Sequence, residues 1–379
     1  MPCNNRPPLD TPDLAHLSTL VTSGAFVLAF VFGAVAQRVS FCTMGAVTDV
    51  VNFGDWRRMR MWLLAIAVAI AGAAALQAAG LVDLSKSIYT GSKVAWLSHL
   101  LGGFLFGFGM TLASGCGSKT LIRAGAGNLK SLVVLAFLGI AAYMTLKGAF
   151  APWRVNGLDP VRIDVGATTS DLPAIVAVWG WPAAKYWLPY VVAAAIAAFV
   201  FANREFRTTA ELIIGGVIVG GVIVGGWYVS GHLGYVVEDP STLEERFIAT
   251  NTGRMESYSF VAPVANLLEL LVLWTDQSRV LTFGIAGVLG MLAGSAAMAL
   301  ATRTFRWEGF GSVEDVGNHI VGAILMGFGG VTALGCTIGQ GLTGISTLAV
   351  GSVLTLGAIV VGCVAAVRYQ TWRIERSEG

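Results

Sequence analysis

The sequence predicts an all-α, polytopic membrane protein with about nine transmembrane helices. Of its 379 residues, 55% are hydrophobic and only 12% are charged, whereas a soluble domain carries roughly a quarter of charged residues. Uncharged runs at 25–36, 62–79 and 283–301 approach or reach the ~20 residues that a helix needs to cross a bilayer. The hydrophobicity of these runs is continuous rather than alternating, which argues against a transmembrane β-barrel.

The predicted crossings follow these apolar runs along the chain. They lie at 18–37, 61–80, 96–113, 131–149, 186–202, 211–229, 280–301, 317–334 and 347–367. Two further apolar segments, 41–53 and 258–274, are too short or too interrupted for a full crossing, and we predict that they form re-entrant helices. Irregular backbone at membrane depth is tolerated only where protein buries it or where it lines a cavity.

The positions of the basic residues predict the orientation of the chain in the membrane. Nine crossings place five basic clusters on one side of the membrane, and the positive-inside rule makes that side cytoplasmic. The clusters are Arg57, Arg58 and Arg60; Lys130; Arg204 and Arg207; Arg303 and Arg306; and Arg368, Arg373 and Arg376. The N-terminus is then periplasmic and the C-terminus cytoplasmic, and the long loops 150–185 and 230–257 lie outside.

A repeated motif divides the chain into halves. The stretch "LASGCGSKT" at 112–120 returns as "TALGCTIGQ" at 332–340, and a Gly-Phe-Gly triplet precedes each copy with the same offset of 220 residues. In the predicted topology the helix before Cys116 runs inward and the helix before Cys336 runs outward. The sequence therefore predicts an inverted-topology repeat, in which a transporter's substrate site lies near the midplane between the halves.

The domain prediction follows from this repeat. Residues 1–379 form a single transmembrane transporter domain, with inverted repeats at approximately 18–149 and 211–367 that a crossing at 186–202 links.

The two motifs predict broken helices and an anion site. Gly115, Gly117 and Gly335 allow irregular backbone and close approach of a ligand, and Thr337 lies in the second break. Half-helices beginning near Lys119 and near residue 339 would aim their N-termini at the centre, where free N–H groups favour an anion.

Two basic residues of the first half-helix are candidates for the same site. Lys119 and Arg123 lie one turn apart and could draw an anion inward. The alternative is that both simply face the inner membrane interface.

The cysteines supply the candidate chemistry. Their positions, 3, 42, 116, 336 and 363, fit neither a disulfide framework nor a metal site, and we predict no metal and no cofactor. Cys3 and Cys363 are interpreted as incidental. Cys42, Cys116 and Cys336 all occur at Gly- or hydroxyl-rich breaks, and we predict that they share a role. A thiol is a weak donor, a weak acceptor and polarizable, which suits a soft sulfur-bearing anion that must bind without sticking.

Intramembrane acids are functional candidates by default. Asp49 lies in the first re-entrant segment and Glu269 in the second. The preferred interpretation is that each anchors its short helix.

Four stretches together resemble the YeeE/YedE-type sulfur-transport family of bacterial inner membranes. They are "SFCTMGA" (40–46), "ASGCGSKTLIRAGAGN" (113–128), "SFVAP" (259–263) and "GFGGVTALGCTIGQGLTGIS" (327–346), and the resemblance covers roughly 18–367. It implies thiosulfate uptake through an hourglass-shaped protein in which three central thiols pass the anion along. Cys42, Cys116 and Cys336 match those three positions.

The sequence thus predicts a non-enzymatic inner-membrane permease for thiosulfate or a closely related anion, with membrane lipid around it and no nucleic-acid partner. Three alternatives stay open. One is a membrane sulfurtransferase that delivers sulfur to a cytoplasmic sulfur-carrier protein, and another is a transporter of sulfite or selenium anions. A nonselective anion channel is a third, in which the thiols only fill space.

Overall fold

The computed structural model describes residues 11–239 and 243–378, which are mostly helical; Cys3 lies outside them. In this part of the chain the α-helices are α1 (Thr11–Arg38), α2 (Thr43–Phe53), α3 (Arg57–Ala78), α4 (Trp96–Leu112), α5 (Gly117–Gly125), α6 (Leu129–Leu146), α7 (Leu172–Val178), α8 (Ala184–Phe201), α9 (Arg204–Arg207), α10 (Ala210–Tyr228), α11 (Ala262–Val272), α12 (Phe283–Ala301), α13 (Val313–Thr332) and α14 (Val350–Glu378).

The remaining regular structure is short. Strand β1 (Lys93–Val94) pairs antiparallel with β2 (Ile163–Asp164), and β3 (Tyr235–Val236) pairs antiparallel with β4 (Arg246–Phe247). A 3₁₀ turn spans Leu84–Lys86, and three π-helical segments span Trp153–Leu158, Val229–Leu233 and Gly339–Gly344. These hairpins and turns belong to the connections between long helices.

Each of the nine predicted crossings coincides with a helix, namely α1, α3, α4, α6, α8, α10, α12, α13 and α14. Eight of the described helices are long and apolar enough to cross a membrane, which confirms an all-α, multi-pass membrane protein. The exception among the nine is α13, because Asp315, Asn318 and His319 make its first turns polar. Eight of the nine helices at predicted crossings therefore qualify as membrane spans by length and apolarity alone.

The two segments predicted to be re-entrant form the short helices α2 and α11, with 11 residues each. At 1.5 Å per residue each is about 16 Å long, roughly half of a bilayer's hydrocarbon core. Helix α2 packs against α3 and α14, and α11 packs against α6 and α12. Both short helices are therefore embedded among long ones.

The long helices pack in matching pairs. Helix α1 packs on α12 and α10 on α3, while α4 packs on α14 and α6 on α13. Helices α4 and α13 cross antiparallel, because Gly102 near the start of α4 faces Gly329, whereas Gly109 near its end faces Gly322. The helices that precede Cys116 and Cys336 thus run in opposite directions and meet at the centre.

Close approach of α4 and α14 depends on glycine. A Cβ on Gly107 would overlap the carbonyl oxygen of Ile359, and a Cβ on Gly362 would overlap that of Phe104. Small residues at such positions let helix backbones come together, and dispersion contacts then stabilise the pair. In contrast, Gly357 on the same helix has open space around it.

We expect Gly107→Ala to destabilise the protein by about 1–3 kcal/mol, since the added methyl group forces α4 and α14 apart. The matched variant Gly357→Ala is expected to be neutral or stabilising by up to about 1 kcal/mol, because alanine is the better helix former. Thermal unfolding of both variants in detergent measures the difference. Equal melting temperatures would contradict the packing described above.

Candidate functional site

Helix α4, which leads to Cys116, ends in a Schellman motif. Ser114 adopts a left-handed conformation with φ 57°. Its N–H donates to the carbonyl of Thr111 at 3.2 Å, and the Gly115 N–H donates to that of Met110 at 2.8 Å. This pattern satisfies carbonyl groups that the end of a helix leaves free.

The helices that lead to the other two cysteines end in the same way. In α13, Leu334 has φ 59°, and the N–H groups of Leu334 and Gly335 make the equivalent bonds at 3.1 and 2.7 Å. In α1, Ser40 has φ 52°, and the Phe41 N–H donates to Ala36 at 3.0 Å. Each of the three thiols therefore lies two residues after a left-handed residue, where one helix has stopped.

Cys42 and Cys116 each occupy the N-cap position of the helix that follows. The Sγ of Cys42 accepts from the Gly45 N–H at 3.3 Å, and the Sγ of Cys116 lies 3.3 Å from Ser118 Oγ. The two thiols also lie close enough to interact with each other. The breaks between α1 and α2 and between α4 and α5 thus bring two sulfur atoms together inside the protein.

Cys336 continues this cluster. Its Sγ accepts from the Gly339 N–H at 3.4 Å and lies 4.0 Å from Ser259 Oγ. The neighbouring Thr337 side chain contacts the Cys116 thiol. The series Cys336, Thr337, Cys116 and Cys42 is therefore continuous, and all four side chains are buried.

The half-helices differ in detail from their prediction. The first one, α5, begins at Gly117, two residues before Lys119. The second is π-helical over Gly339–Gly344, because Gln340 bonds both to the carbonyl of Ala333 and to Ser352 Oγ. These two contacts hold the second half-helix wider than a regular α-helix.

The three predicted glycines have different roles. Gly115 and Gly335 donate the closing bonds of the Schellman motifs. A Cβ on Gly117 would make only ordinary contacts, at 3.7 Å or more. Glycine is therefore not sterically required at position 117.

Basic side chains surround the thiols on one side of the cluster. Lys119 is close enough to interact electrostatically with both Cys42 and Cys116. Arg123 instead donates from Nη1 to the carbonyl of Ser114 at 3.0 Å, so it stabilises the helix break. Sequence analysis did not single out Arg58 for this site, although its guanidinium lies next to Gly45, close to the Cys42 thiol.

Three polar atoms near the thiols are buried without a hydrogen-bond partner among the described residues. They are Thr43 Oγ1, Thr337 Oγ1 and Trp62 Nε1, and the Trp62 ring lies against Gly341 of the second half-helix. A buried polar group without a partner costs free energy, so such a group calls for an explanation, and a ligand is one. The Cys-Thr pair occurs at both 42–43 and 336–337, a signal that could have identified Thr43.

Ser259 is a further residue that sequence reasoning missed. The signal for it is the Ser-Phe pair, which precedes Cys42 in the first half and occurs again at 259–260 just before α11. The structure places Ser259 against Cys336, as it places Cys42 against Cys116.

Two cavities approach the cluster from opposite ends of α3 and α10. The loop-side chamber has a volume of about 450 Å³, and among its lining residues are Lys147, Arg246, Glu256, Ser259, Arg279 and Gly335. The opposite-side groove has a volume of about 460 Å³, and among its lining residues are Arg38, Ser40, Asp49, Arg57, Arg58 and Glu211. The chamber reaches the Cys336 turn and the groove reaches the Cys42 turn.

Both intramembrane acids are ion-paired. Glu269 lies 2.9 Å from Lys147 and 3.2 Å from Arg279, and Asp49 lies 3.4 Å from Arg58. These pairs tie the short helices α11 and α2 to neighbouring segments, as the anchoring interpretation requires. Within the described residues, no group of three or more His, Cys, Asp or Glu side chains could hold a metal ion.

Comparison with known proteins gives a consistent result. Residues 38–365 match the family described as Sulphur transport. The chain is 27% identical over 325 residues to the thiosulfate transporter TsuA of Escherichia coli, covering 86% of this chain and 87% of that protein. It is also 27% identical over 344 residues to the thiosulfate transporter TsuA of Spirochaeta thermophila, covering 89% and 95%.

The contact between two thiols makes a prediction about oxidation. Mild oxidation of the purified protein should join Cys42 to Cys116, because a thiol that the added oxidant converts to a sulfenic acid condenses with the neighbouring thiol and releases water. Peptide mapping without reductant identifies the disulfide bridge. The bridge should be absent from the Cys42→Ser variant and present in the Cys336→Ser variant. A bridge between Cys116 and Cys336 instead would contradict the arrangement of the cluster.

Proposed function

The chain belongs to the Sulphur transport family, and we propose that it is an inner-membrane permease for thiosulfate or a closely related sulfur-containing anion. The observation that carries this proposal is the continuous series of buried thiols between two polar cavities. The anion enters the loop-side chamber, passes Cys336, Cys116 and Cys42 in turn, and leaves through the opposite-side groove.

Thiosulfate has two chemically different ends, and the cluster offers a suitable group for each. Its terminal sulfur is soft and polarizable, and it accepts weak S–H hydrogen bonds from thiols. Conduction needs sites that are favourable enough to enter and weak enough to leave, preferably several in succession. Three thiols in a row meet this requirement better than one strong cationic site.

The oxygen end needs conventional donors. The Thr43 and Thr337 hydroxyls and the Trp62 indole N–H are buried without partners among the described residues, so an anion that bonds to them removes an existing cost. Hydrogen bonds to a charged acceptor are roughly twice as strong as neutral ones. These three donors therefore orient the oxyanion while the thiols hold the sulfur.

Electrostatics favours an anion at the centre of the protein. The N-terminus of α5 contributes the positive end of a helix dipole, and Lys119 lies beside Cys116 and Cys42. Transport by this route requires no covalent bond between protein and substrate.

The direction of transport rests on the basic clusters, which we assign to the cytoplasmic side. The N-terminus and the loop-side chamber are then periplasmic, and the C-terminus and the opposite-side groove are cytoplasmic. The antiparallel crossing of α4 and α13 and the matched Schellman motifs support our interpretation of the halves as inverted repeats. A cytoplasmic sulfur-carrier protein is our proposed acceptor for the imported sulfur.

Uptake of doubly labelled thiosulfate into proteoliposomes tests this function, with sulfate, sulfite and selenite as competitors. Intact thiosulfate in the lumen supports a permease. Terminal sulfur retained on the protein, with the inner sulfur released as sulfite, would support the sulfurtransferase alternative instead.

Replacing any one of Cys42, Cys116 or Cys336 by Ala should lower thiosulfate uptake by more than about tenfold, because a path of weak sites fails when one site is missing. Cys363→Ala is the matched control. Cys363 is also buried, but its thiol accepts from Thr111 Oγ1 at 3.3 Å and lies outside the series. Initial uptake rates at equal protein incorporation give the comparison, and full activity of Cys116→Ala and Cys336→Ala would contradict the relay.

Thr337→Val should weaken thiosulfate binding roughly tenfold to a hundredfold, which is the loss of about 1.5–3 kcal/mol for one hydrogen bond to a charged group. The same change should leave the melting temperature of the empty protein unchanged or raise it, since it removes an unpartnered hydroxyl. Thr145→Val is the control, because Thr145 is equally buried and bonds to the carbonyl of Ala141. If Thr337→Val lowered thermal stability and left binding intact, its hydroxyl would have a structural role only.

A further inference from the structure

Glu256 is an acidic residue in the wall of a chamber that we assign to an anion. It lines the loop-side chamber together with Ser259 and Gly335, the residues nearest to Cys336. Tyr89, which also lines the chamber, is within electrostatic reach of both Glu256 and the Cys336 thiol. The carboxyl group therefore lines the chamber that leads to the first thiol of the proposed path.

The structure holds this residue firmly in place. Ser230 Oγ donates to the backbone carbonyl of Glu256, and the preceding residue, Met255, forms a β-bridge with Ser87. The side chain of Met255 also packs against Gly231. Contacts from two different connecting segments thus fix the carboxyl group in the chamber wall.

The two carboxyl oxygens have different surroundings. One is positioned to accept from the backbone N–H of Asn251. The other, Oε1, is shielded from solvent and has no hydrogen-bond partner among the described residues, although the residue as a whole is only partly buried. An ionised carboxylate in this position would lack compensation and would also repel an incoming anion.

Burial resolves this conflict, because it raises the pKa of Glu256 to about 8. The group is therefore largely neutral at pH 7, and a neutral carboxyl carries a proton that it can donate. We place this proton on Oε1, the oxygen that has no hydrogen-bond partner among the described residues.

Other titratable groups also line the chamber. Burial raises the pKa of Tyr89 above its usual range, so Tyr89 stays neutral. The remaining charged groups of the wall are Lys147, Arg246, Arg279 and Glu269, and both Lys147 and Arg279 are ion-paired with Glu269.

We propose that Glu256, as a neutral carboxylic acid, donates a hydrogen bond to the sulfur oxyanion in the loop-side chamber and thereby loads the anion onto Cys336. This role rests on the proposed permease function and adds a binding residue to it. A protonated carboxyl group donates a hydrogen bond to the anion but binds it less strongly than a fixed cation would. Loss of the proton converts the same group into a barrier.

The pH dependence of anion loading follows from the upward shift of the Glu256 pKa. Anion loading is fully present only well below the pKa of about 8 and is lost as the pH rises through that value. One unit above the pKa only about a tenth of the carboxyl groups are protonated, so uptake should fall about tenfold. Thiosulfate itself remains a dianion throughout this range, so the change must come from the protein.

The test compares initial thiosulfate uptake by wild type, Glu256→Gln and Glu244→Gln between about pH 6.5 and about pH 9. The pH is equal on both sides of the proteoliposomes, and an ionophore removes any proton gradient. The amide introduced by Glu256→Gln is neutral at every pH and keeps a donor, so this variant should transport at pH 9 about as fast as wild type does at pH 7. Glu244 is an exposed acid of the same connection, and Glu244→Gln should follow the wild-type profile.

The possible failures are distinguishable. Wild-type uptake that falls with pH in parallel with that of Glu256→Gln would overturn the role of Glu256 and leave the permease intact. Absence of wild-type thiosulfate uptake at every pH would overturn the proposed function, and the role of Glu256 with it. A variant that binds thiosulfate at pH 9 more tightly than wild type supports the proposal through a measurement independent of transport.

Discussion

The organisation of this protein depends on one constraint, that backbone polar groups at membrane depth must be satisfied within the protein. Three helices stop inside the bundle, ahead of Cys42, Cys116 and Cys336. At each stop a Schellman motif satisfies carbonyl groups of the helix that ends. The free N–H groups at the start of the next segment then face sulfur atoms, and this arrangement makes the centre receptive to an anion.

The permease that we propose is selective because the groups of its central cluster differ in kind. A site built from Arg and Lys alone would bind any oxyanion and release it slowly. In our proposal the thiols bind the soft sulfur, and neutral donors such as Thr337 bind the oxygens. Lys119 is a cation beside the thiols, while other charged groups line the cavities, with Lys147 and Arg279 on one side and Arg58 on the other. The proposed path thus attracts the anion at the cavities and binds it more weakly at the centre.

Local patterns in the sequence were sufficient to predict the long helices and the two short helical segments. They also identified the three cysteines as candidate site residues. The 220-residue offset also indicated that the breaks at Cys116 and Cys336 would match, and the left-handed Ser114 and Leu334 show how closely they do. Contacts between segments that are far apart in the sequence could not be predicted in this way. The π-helical form of 339–344 depends on the Gln340–Ser352 contact, and the proximity of Arg58 to Cys42 depends on how α2 packs on α3. A single sequence carries no local signal for either.

The most direct test of the account is a crystal structure of the protein soaked with selenosulfate, the thiosulfate analogue whose terminal atom is selenium. Anomalous scattering locates that atom independently of the rest of the map. We expect selenium peaks in contact with the sulfur atoms of Cys336, Cys116 or Cys42, with the oxygen atoms of the anion facing Thr337 or Thr43. Selenium bound only at the basic residues of the two cavities, with the thiol cluster empty, would contradict the central claim.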